Sequence, residues 1–360
     1  MIHAMMEPRC KRRRSADTEP VSWRVLPVLS DEQCQDTQLL DAYAAPIADK
    51  RQTSRLVRAL ATVYPMAGLQ HIKRVRARKD PGSPHPLEII VCLVRDLPAT
   101  GDERGKSIAE LLSSADVDTS ALGEPFLVKI PASPPLTRPQ FELASKHWPT
   151  SFHEDKQVTV ALRGDLFTPG EKAKMQGFME TAIAAARAGQ REGMQPVGGV
   201  IVDPQTERIV AVGHDCSQGA HPLQHAVMVC IDLVARAHGG GAHQYKYAHC
   251  KFSEAGSPPR LRNGSALGLE VKGNVDELEP NALPYICTGC DLYVTREPCV
   301  MCAMALVHSR IGRVFYGAAS LDGALGSRYK IHTQKGLNHH FDVFKGVMEQ
   351  ECEDLISKPS

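Results

Sequence analysis

His225, Cys299 and Cys302 are the residues of this chain best equipped for chemistry. An imidazole and two thiols spaced Pro298-Cys299-Val300-Met301-Cys302 offer three of the ligands that zinc prefers, and three protein ligands leave a fourth position for water. Water held there is acidified and becomes a nucleophile. A hydrolytic centre of this kind also needs a side chain that carries protons. Two residues beyond the imidazole stands Val227, whose isopropyl group can neither give nor take one.

The elements that must position these residues follow from spacing. Cys299 and Cys302 fall in the first turn of a helix predicted over Cys299 to Val307, where residues i and i+3 share a side. The positive end of that helix favours thiolates. His225 opens a second, largely apolar helix and faces the thiols across the crevice at the edge of a sheet, the usual place for an α/β site. Three other readings compete. Cys287 and Cys290 could join the later pair in a four-cysteine structural site, but a strand of five residues between them spans ~16 Å, beyond one coordination sphere. His225 could be a core histidine, against which stands the Pro-Cys-x-x-Cys at a helix start. Glu297 could replace the absent proton carrier, although a carboxylate just before a helix start more often serves the helix dipole.

A chain of 360 residues, 42% of them hydrophobic, has the material for two cored domains. Its net charge of +1 excludes nothing, so the local distribution of charge has to be read instead. Eleven cysteines, an odd number spread through a long chain, argue for a reducing compartment rather than a disulfide framework. The longest apolar runs fall short of the ~18 residues that a membrane span needs. Met1 to Arg14 lacks the apolar core of a secretory signal. Residues 1–22 read as a polar tail. In it, Cys10-Lys11-Arg12-Arg13-Arg14 is either a nuclear address, a nucleic-acid contact or a solvated basic run.

Residues 23–133 are predicted to form an α+β ferredoxin-like domain in the order βαββαβ. Its strands are expected at Arg24–Leu29, His71–Arg78, Leu87–Val94 and Pro125–Pro131, and its helices at Lys50–Tyr64 and Ser107–Ser114. Between Lys50 and Lys79 stand nine cations, Lys50, Arg51, Arg55, Arg58, Lys73, Arg74, Arg76, Arg78 and Lys79, and no Asp or Glu. Arg51, Arg55 and Arg58 lie at i, i+4 and i+7 and share one helix face. Cations gathered this way repel one another, and a phosphate backbone is their natural counterweight. A solvated face without a partner is the other reading. Proline-rich residues 134–160 read as a linker.

Residues 161–357 are predicted as a three-layer α/β domain. Thr168-Pro169-Gly170-Glu171 is a capping box that opens a helix with an apolar stripe of Met175, Phe178, Met179, Ala182 and Ala186. Strands are expected at Pro196–Val202, Arg208–Val212, Leu292–Thr295, Arg313–Tyr316 and Tyr329–Thr333, and a closing helix at Asn338–Leu355. Residues 237–284, rich in Gly, Pro and Ser, read as a loop insertion.

His225-Ala226-Val227 and Thr295-Arg296-Glu297-Pro298-Cys299-Val300-Met301-Cys302-Ala303-Met304 resemble the two halves of the zinc site of the cytidine/deoxycytidylate deaminase superfamily, whose signature is H-x-E followed by P-C-x-x-C. Pro196-Val197-Gly198-Gly199-Val200-Ile201-Val202 resembles the first active-site strand of these proteins. Within the superfamily, the tRNA adenosine deaminases are most similar. The basic N-terminal domain, the linker and the Val-for-Glu exchange resemble the non-catalytic subunits of their eukaryotic heterodimers. The motifs cover roughly the last 190 residues and are specific as a pair. The resemblance implies a C-terminal three-layer α/β/α cytidine-deaminase-like fold, with His225, Cys299 and Cys302 holding Zn2+ and Val227 in the place of the proton shuttle. It also implies a catalytic deaminase subunit as heterodimer partner, tRNA as the bound nucleic acid, no membrane, and a cytoplasmic and nuclear location. The Asn that active relatives carry after the first strand has no counterpart in Val202-Asp203-Pro204-Gln205.

The expected function is that of a tRNA-binding, catalytically inactive subunit of a deaminase converting wobble adenosine to inosine. Met301, Met304, Leu306 and Val307 are expected near the partner interface. The alternative is a free-standing zinc-dependent nucleobase or nucleotide deaminase that uses water or Glu297 to move protons.

Overall fold

In a computed structural model of the chain, the described residues are 23–77, 86–97, 106–113, 117–241, 246–252 and 286–357. The first half contributes β1 (Leu26–Pro27), α1 (Asp31–Cys34), β2 (Leu39–Ile47), α2 (Thr53–Val63), β3 (Val75–Ala77), β4 (Leu87–Leu93), α3 (Ile108–Leu111) and β5 (Phe126–Pro131). Of these, β2 to β5 form an antiparallel sheet in the order β3-β4-β2-β5, and the sequence β2-α2-β3-β4-α3-β5 is the split βαβ arrangement of a ferredoxin-like fold. Leu56 and Leu60 on α2 are fully buried against Ile47, Ile89 and Val91 on one face of the sheet. Ala42, Ala44, Ile90, Ile130 and Trp148 form a cluster on the other face.

The expected opening strand is not part of this sheet. β1 pairs antiparallel with the last strand of the second sheet, and Val25 and Leu29 are buried in the core of that half. The true first strand is β2, whose run of alanines and Pro46 give a weak strand signal because small residues and prolines are both depleted in sheets. The expected linker is ordered too. It carries α4 (Arg138–His147) and α5 (Lys156–Arg163), and its Trp148 is wholly buried, with Nε1 donating to the Lys73 carbonyl at 2.6 Å. Thr150 then forms an isolated antiparallel bridge with Ile72, just before β3.

The second half runs through α6 (Pro169–Arg191), β6 (Gly198–Asp203), β7 (Arg208–His214), α7 (Ala226–Ala237), β8 (Lys251–Phe252), β9 (Asp291–Arg296), α8 (Val300–His308), β10 (Arg313–Ala318), β11 (Asp342–Lys345) and α9 (Glu349–Ser357). Its seven-stranded sheet has the order β1-β11-β10-β9-β6-β7-β8, with β9, β10 and β11 parallel and the other pairings antiparallel. Strand alternation makes the three layers. Ile201, Leu292, Val294, Val314, Tyr316 and Val343 point into a core shared with α7 and α8. Val200, Val202, Tyr293, Phe315 and Phe344 point into another shared with α5, α6 and α9. Strands buried on both faces read as continuous apolar runs.

Two expectations near the C-terminus fail. Ile331–Thr333 is one turn of 3-10 helix rather than a strand, and the closing helix begins at Glu349 because β11 occupies the segment before it. Asp-Val-Phe-Lys buries Val343 and Phe344 on opposite faces, as successive residues of a strand are, whereas a helix shares a face between residues three or four apart. Most of the insertion, and the basic tail, lie outside the described residues. Among the described residues no helix is long and apolar enough to cross a membrane.

Candidate metal centre and basic face

The helix starts expected from the sequence are where the cage forms. β9 delivers the chain to Pro298, Cys299 is the N-cap of α8, and His225 is the N-cap of α7. Cys299 Sγ lies 3.5 Å and Cys302 Sγ 3.6 Å from His225 Nδ1, and all three ligand atoms are within 4.8 Å of one another. A tetrahedral zinc with sulfur at ~2.3 Å and nitrogen at ~2.0 Å sets these separations at about 3.5 Å, so the donor set fits that ion. Cys302 is buried while His225 and Cys299 are half-buried, which leaves one side open. The Cys302 thiol donates to Cys299 and, with His225 nearby, holds the Cys299 thiol down to about 5, while its own pKa is pushed far up.

Val227 is 3% exposed and belongs to the apolar cluster that also holds Cys302 and Leu325. None of the three other readings of the centre survives, since His225 is half-buried with Nδ1 beside both sulfurs rather than packed in the core. Cys287 and Cys290 are buried apart from the cage, their thiols raised by burial, Cys287 to about 12. Glu297 serves neither as proton carrier nor, as its position before α8 suggested, the helix dipole. Its carboxylate accepts from the backbone N–H groups of Ser320 (3.1 Å), Leu325 (3.0 Å) and Ser327 (2.9 Å) and from the Ser327 hydroxyl. The loop wraps so tightly that a Cβ on Gly323 would fall 2.1 Å from that carboxylate. A carboxylate saturated by four donors is a structural anchor.

Of the four α8 residues expected at an interface, Leu306 and Val307 are buried in their own core. Val300, 44% exposed, with half-buried Met301 and Met304, forms the outer side of the helix.

The nine cations divide into groups. Lys50, Arg51, Arg58 and Lys73 are exposed. Arg55 pairs with Asp118 at 3.1 Å and with Gln52. Arg74 turns inward, against expectation, and donates to the carbonyls of Ile90 (3.1 Å), Tyr64 (3.0 Å) and Val91 (2.9 Å). The ladder between β2 and β4 skips Val91, a bulge, and β3 ends short of Ile90, so the guanidinium completes a sheet edge that backbone leaves open. Burial pulls its pKa down to about 10. Arg76 is also engaged internally, 2.6 Å from buried Glu88 and 4.1 Å over the Trp148 ring. Arg78 and Lys79 lie outside the described residues. Charge along the sequence does not show which cations the sheet consumes.

Residues 172–318 match the cytidine and deoxycytidylate deaminase zinc-binding region, and residues 40–148 match the tRNA-specific adenosine deaminase TAD3 N-terminal domain. Fold and site thus define a cytidine-deaminase-like protein with an added N-terminal domain. The chain is 59% identical, over 98% of its length and all of the relative's, to the "Probable inactive tRNA-specific adenosine deaminase-like protein 3" of Danio rerio. It is 53% identical to the protein of that name in Homo sapiens over 97% of this chain and 96% of that one. The "tRNA-specific adenosine deaminase subunit tad3" of Schizosaccharomyces pombe is 31% identical over 77% of this chain and 74% of its own. The chain belongs to the tRNA-specific adenosine deaminase-like protein 3 family.

Proposed function

We propose that this chain is the tRNA-binding, non-catalytic subunit of a heterodimeric deaminase that converts wobble adenosine to inosine in tRNA anticodons. The observation that carries the reading is Val227, an aliphatic side chain packed into the core where a proton carrier would have to stand. When bound, zinc supplies a Lewis acid that acidifies a ligated water. His225, Cys299 and Cys302 would hold the ion, tying the start of α7 to the start of α8. Glu297 is spent on its loop, and no other side chain of the centre moves a proton. General acid–base groups contribute about 10²–10⁴-fold, so a chain lacking one contributes scaffold rather than turnover.

Lys50, Arg51, Arg58 and Lys73, continued in sequence by Arg78 and Lys79, supply counter-charge for tRNA phosphates. Gripping the tRNA body there leaves the anticodon loop, whose bases unstack at low cost, to a partner that keeps its Glu. The unit from β2 to Trp148 is the RNA-binding part, and the unit from α5 onward, with β1, is the deaminase-like part. The outer side of α8 faces the partner. The complex acts in the cytoplasm and the nucleus.

The test uses the purified full chain and a tRNA with adenosine at the wobble position. Alone it yields no inosine, and with a catalytic deaminase subunit it does. Appreciable conversion by the chain alone overturns the reading.

A further inference from the structure

The end of β7 brings a second imidazole beside two thiols, sharing no residue with the first centre. His214 is the last residue of β7, Cys216 lies in the following loop, and Cys250 immediately precedes β8, which pairs with Ala211 and Val212. Their ligand atoms lie within 4.8 Å of one another, and Cys216 Sγ is 3.8 Å from His214 Nδ1, close to the corresponding distances at the first centre. The fold makes room for this ring. A Cβ on Gly189 of α6 would fall 2.5 Å from His214 Nδ1, so the helix surrenders a side chain to admit the imidazole. His214 is 1% exposed, and its Nε2 lies 2.8 Å from the Ala248 carbonyl. Nδ1 lies 2.8 Å from the Asp215 carbonyl, so both ring nitrogens face acceptors, and loss of the Nδ1 proton would leave Nε2–H on Ala248 as the usual support of a ligating histidine. Asp215, accepting from the Ser217 N–H and hydroxyl, bends the loop that returns Cys216 to the ring.

We infer that His214, Cys216 and Cys250 form a second site for a thiophilic divalent cation of the zinc class. For the ion to bind, the two thiols and Nδ1, which lies 2.8 Å from the Asp215 carbonyl, each give up a proton to solvent, Nε2–H stays on the Ala248 carbonyl, and water completes the fourth position. The ion clamps the segment after α7 onto the edge of the sheet. It also braces the loop to the first centre, because the Cys216 N–H donates to the carbonyl of Gln224, next to His225. A Cys216–Cys250 disulfide is the competing chemistry, and it would need an oxidant to take two electrons and two protons from the thiols.

The test is zinc per chain in the purified full-length protein. Cys216→Ser with Cys250→Ser removes one equivalent, His225→Ala with Cys299→Ser removes another, and the losses add. If the first pair changes nothing while the second removes zinc, the second site is refuted and the first stands. Should the first pair fail to fold, iodoacetamide labelling of the unmutated chain decides. Cys216 and Cys250 become at least ~10-fold more reactive on adding a chelator if they hold metal. Equal rates with and without chelator, or a mass lower by two hydrogens in a Cys216–Cys250 linked peptide, overturn the inference.

Discussion

Arg74→Met separates the two kinds of cation in the basic segment. The substitution keeps an apolar stem but withdraws the guanidinium from three carbonyls at 2.9–3.1 Å. Hydrogen bonds from a charged donor contribute about 1.5–3 kcal/mol each, and two of the abandoned carbonyls belong to β4, the strand between β3 and β2. Part of each carbonyl is recovered by water because the site is only half-buried, which brings the expected loss to roughly 3–5 kcal/mol. At a urea slope of about 1.5 kcal/mol/M, the unfolding midpoint of the N-terminal half falls by roughly 2–3 M. Trp148 is the probe, since it is wholly buried in that half, and replacing Trp23, the other of the two tryptophans, by Phe isolates its signal. The folded Arg74→Met protein keeps the salt dependence of tRNA binding. The quadruple change of Lys50, Arg51, Arg58 and Lys73 to Gln does the reverse, leaving the midpoint near its original value and flattening the slope of log K on log salt by up to about 3. An Arg74→Met protein with an unchanged midpoint and a flattened slope would refute this division.

Three further expectations follow from buried groups. His332 donates from Nε2 to the Val28 carbonyl while its Nδ1 is buried without a hydrogen-bond partner among the described residues, and burial lowers its pKa from 6.5 to about 4. Because the folded value lies below the unfolded one, the contribution is complete above pH 6.5 and is lost as pH falls towards 4. It amounts to roughly 3 kcal/mol, and His332→Gln should remove that part of the pH dependence of unfolding; an identical profile in the variant contradicts it. Glu297→Gln keeps shape but turns an amide towards donors, and should cost about 2–4 kcal/mol with faster amide exchange over residues 320–327; unchanged protection there refutes the anchoring role. Chelation should lower the thermal midpoint of the deaminase-like half in proportion to the zinc released, and a midpoint indifferent to the metal would deny the first centre its structural part.

Legibility followed whether a signal was local. The capping box at Thr168, the helix starts at His225 and Cys299 and the apolar runs of β6, β9 and β10 depend on neighbours in sequence, and all lie where the pattern puts them. β1 has the same apolar composition as any short strand, and nothing local says that its partner lies more than 300 residues away. α4 was hidden by proline density. Pro139 sits in its first turn, where the missing N–H costs nothing, so the residue that argued for a linker belongs to a helix start. α5 carried plain signals at both ends, Asp155 capping and Gly164 in the left-handed conformation at φ +81. The fates of Arg74, Arg76 and Glu297, and the meeting of Cys250 with His214, depend on contacts made only by the folded chain.

The persistence of a cage beside Val227 has a physical reason that does not involve turnover. The first turns of α7 and α8 approach each other at three side chains that contact one another through weak thiol hydrogen bonds, and a cation would hold them better once both thiols ionise and repel. Replacing the proton carrier by valine adds apolar contact to the same cluster and removes a charge that would need a partner there. With an ion bound, the centre would become a stiff corner of the fold and would steady the outer side of α8, from Val300 to Met304, which the proposed function assigns to the partner. A chain that lost the ligands would loosen that surface, whereas losing the shuttle costs it nothing.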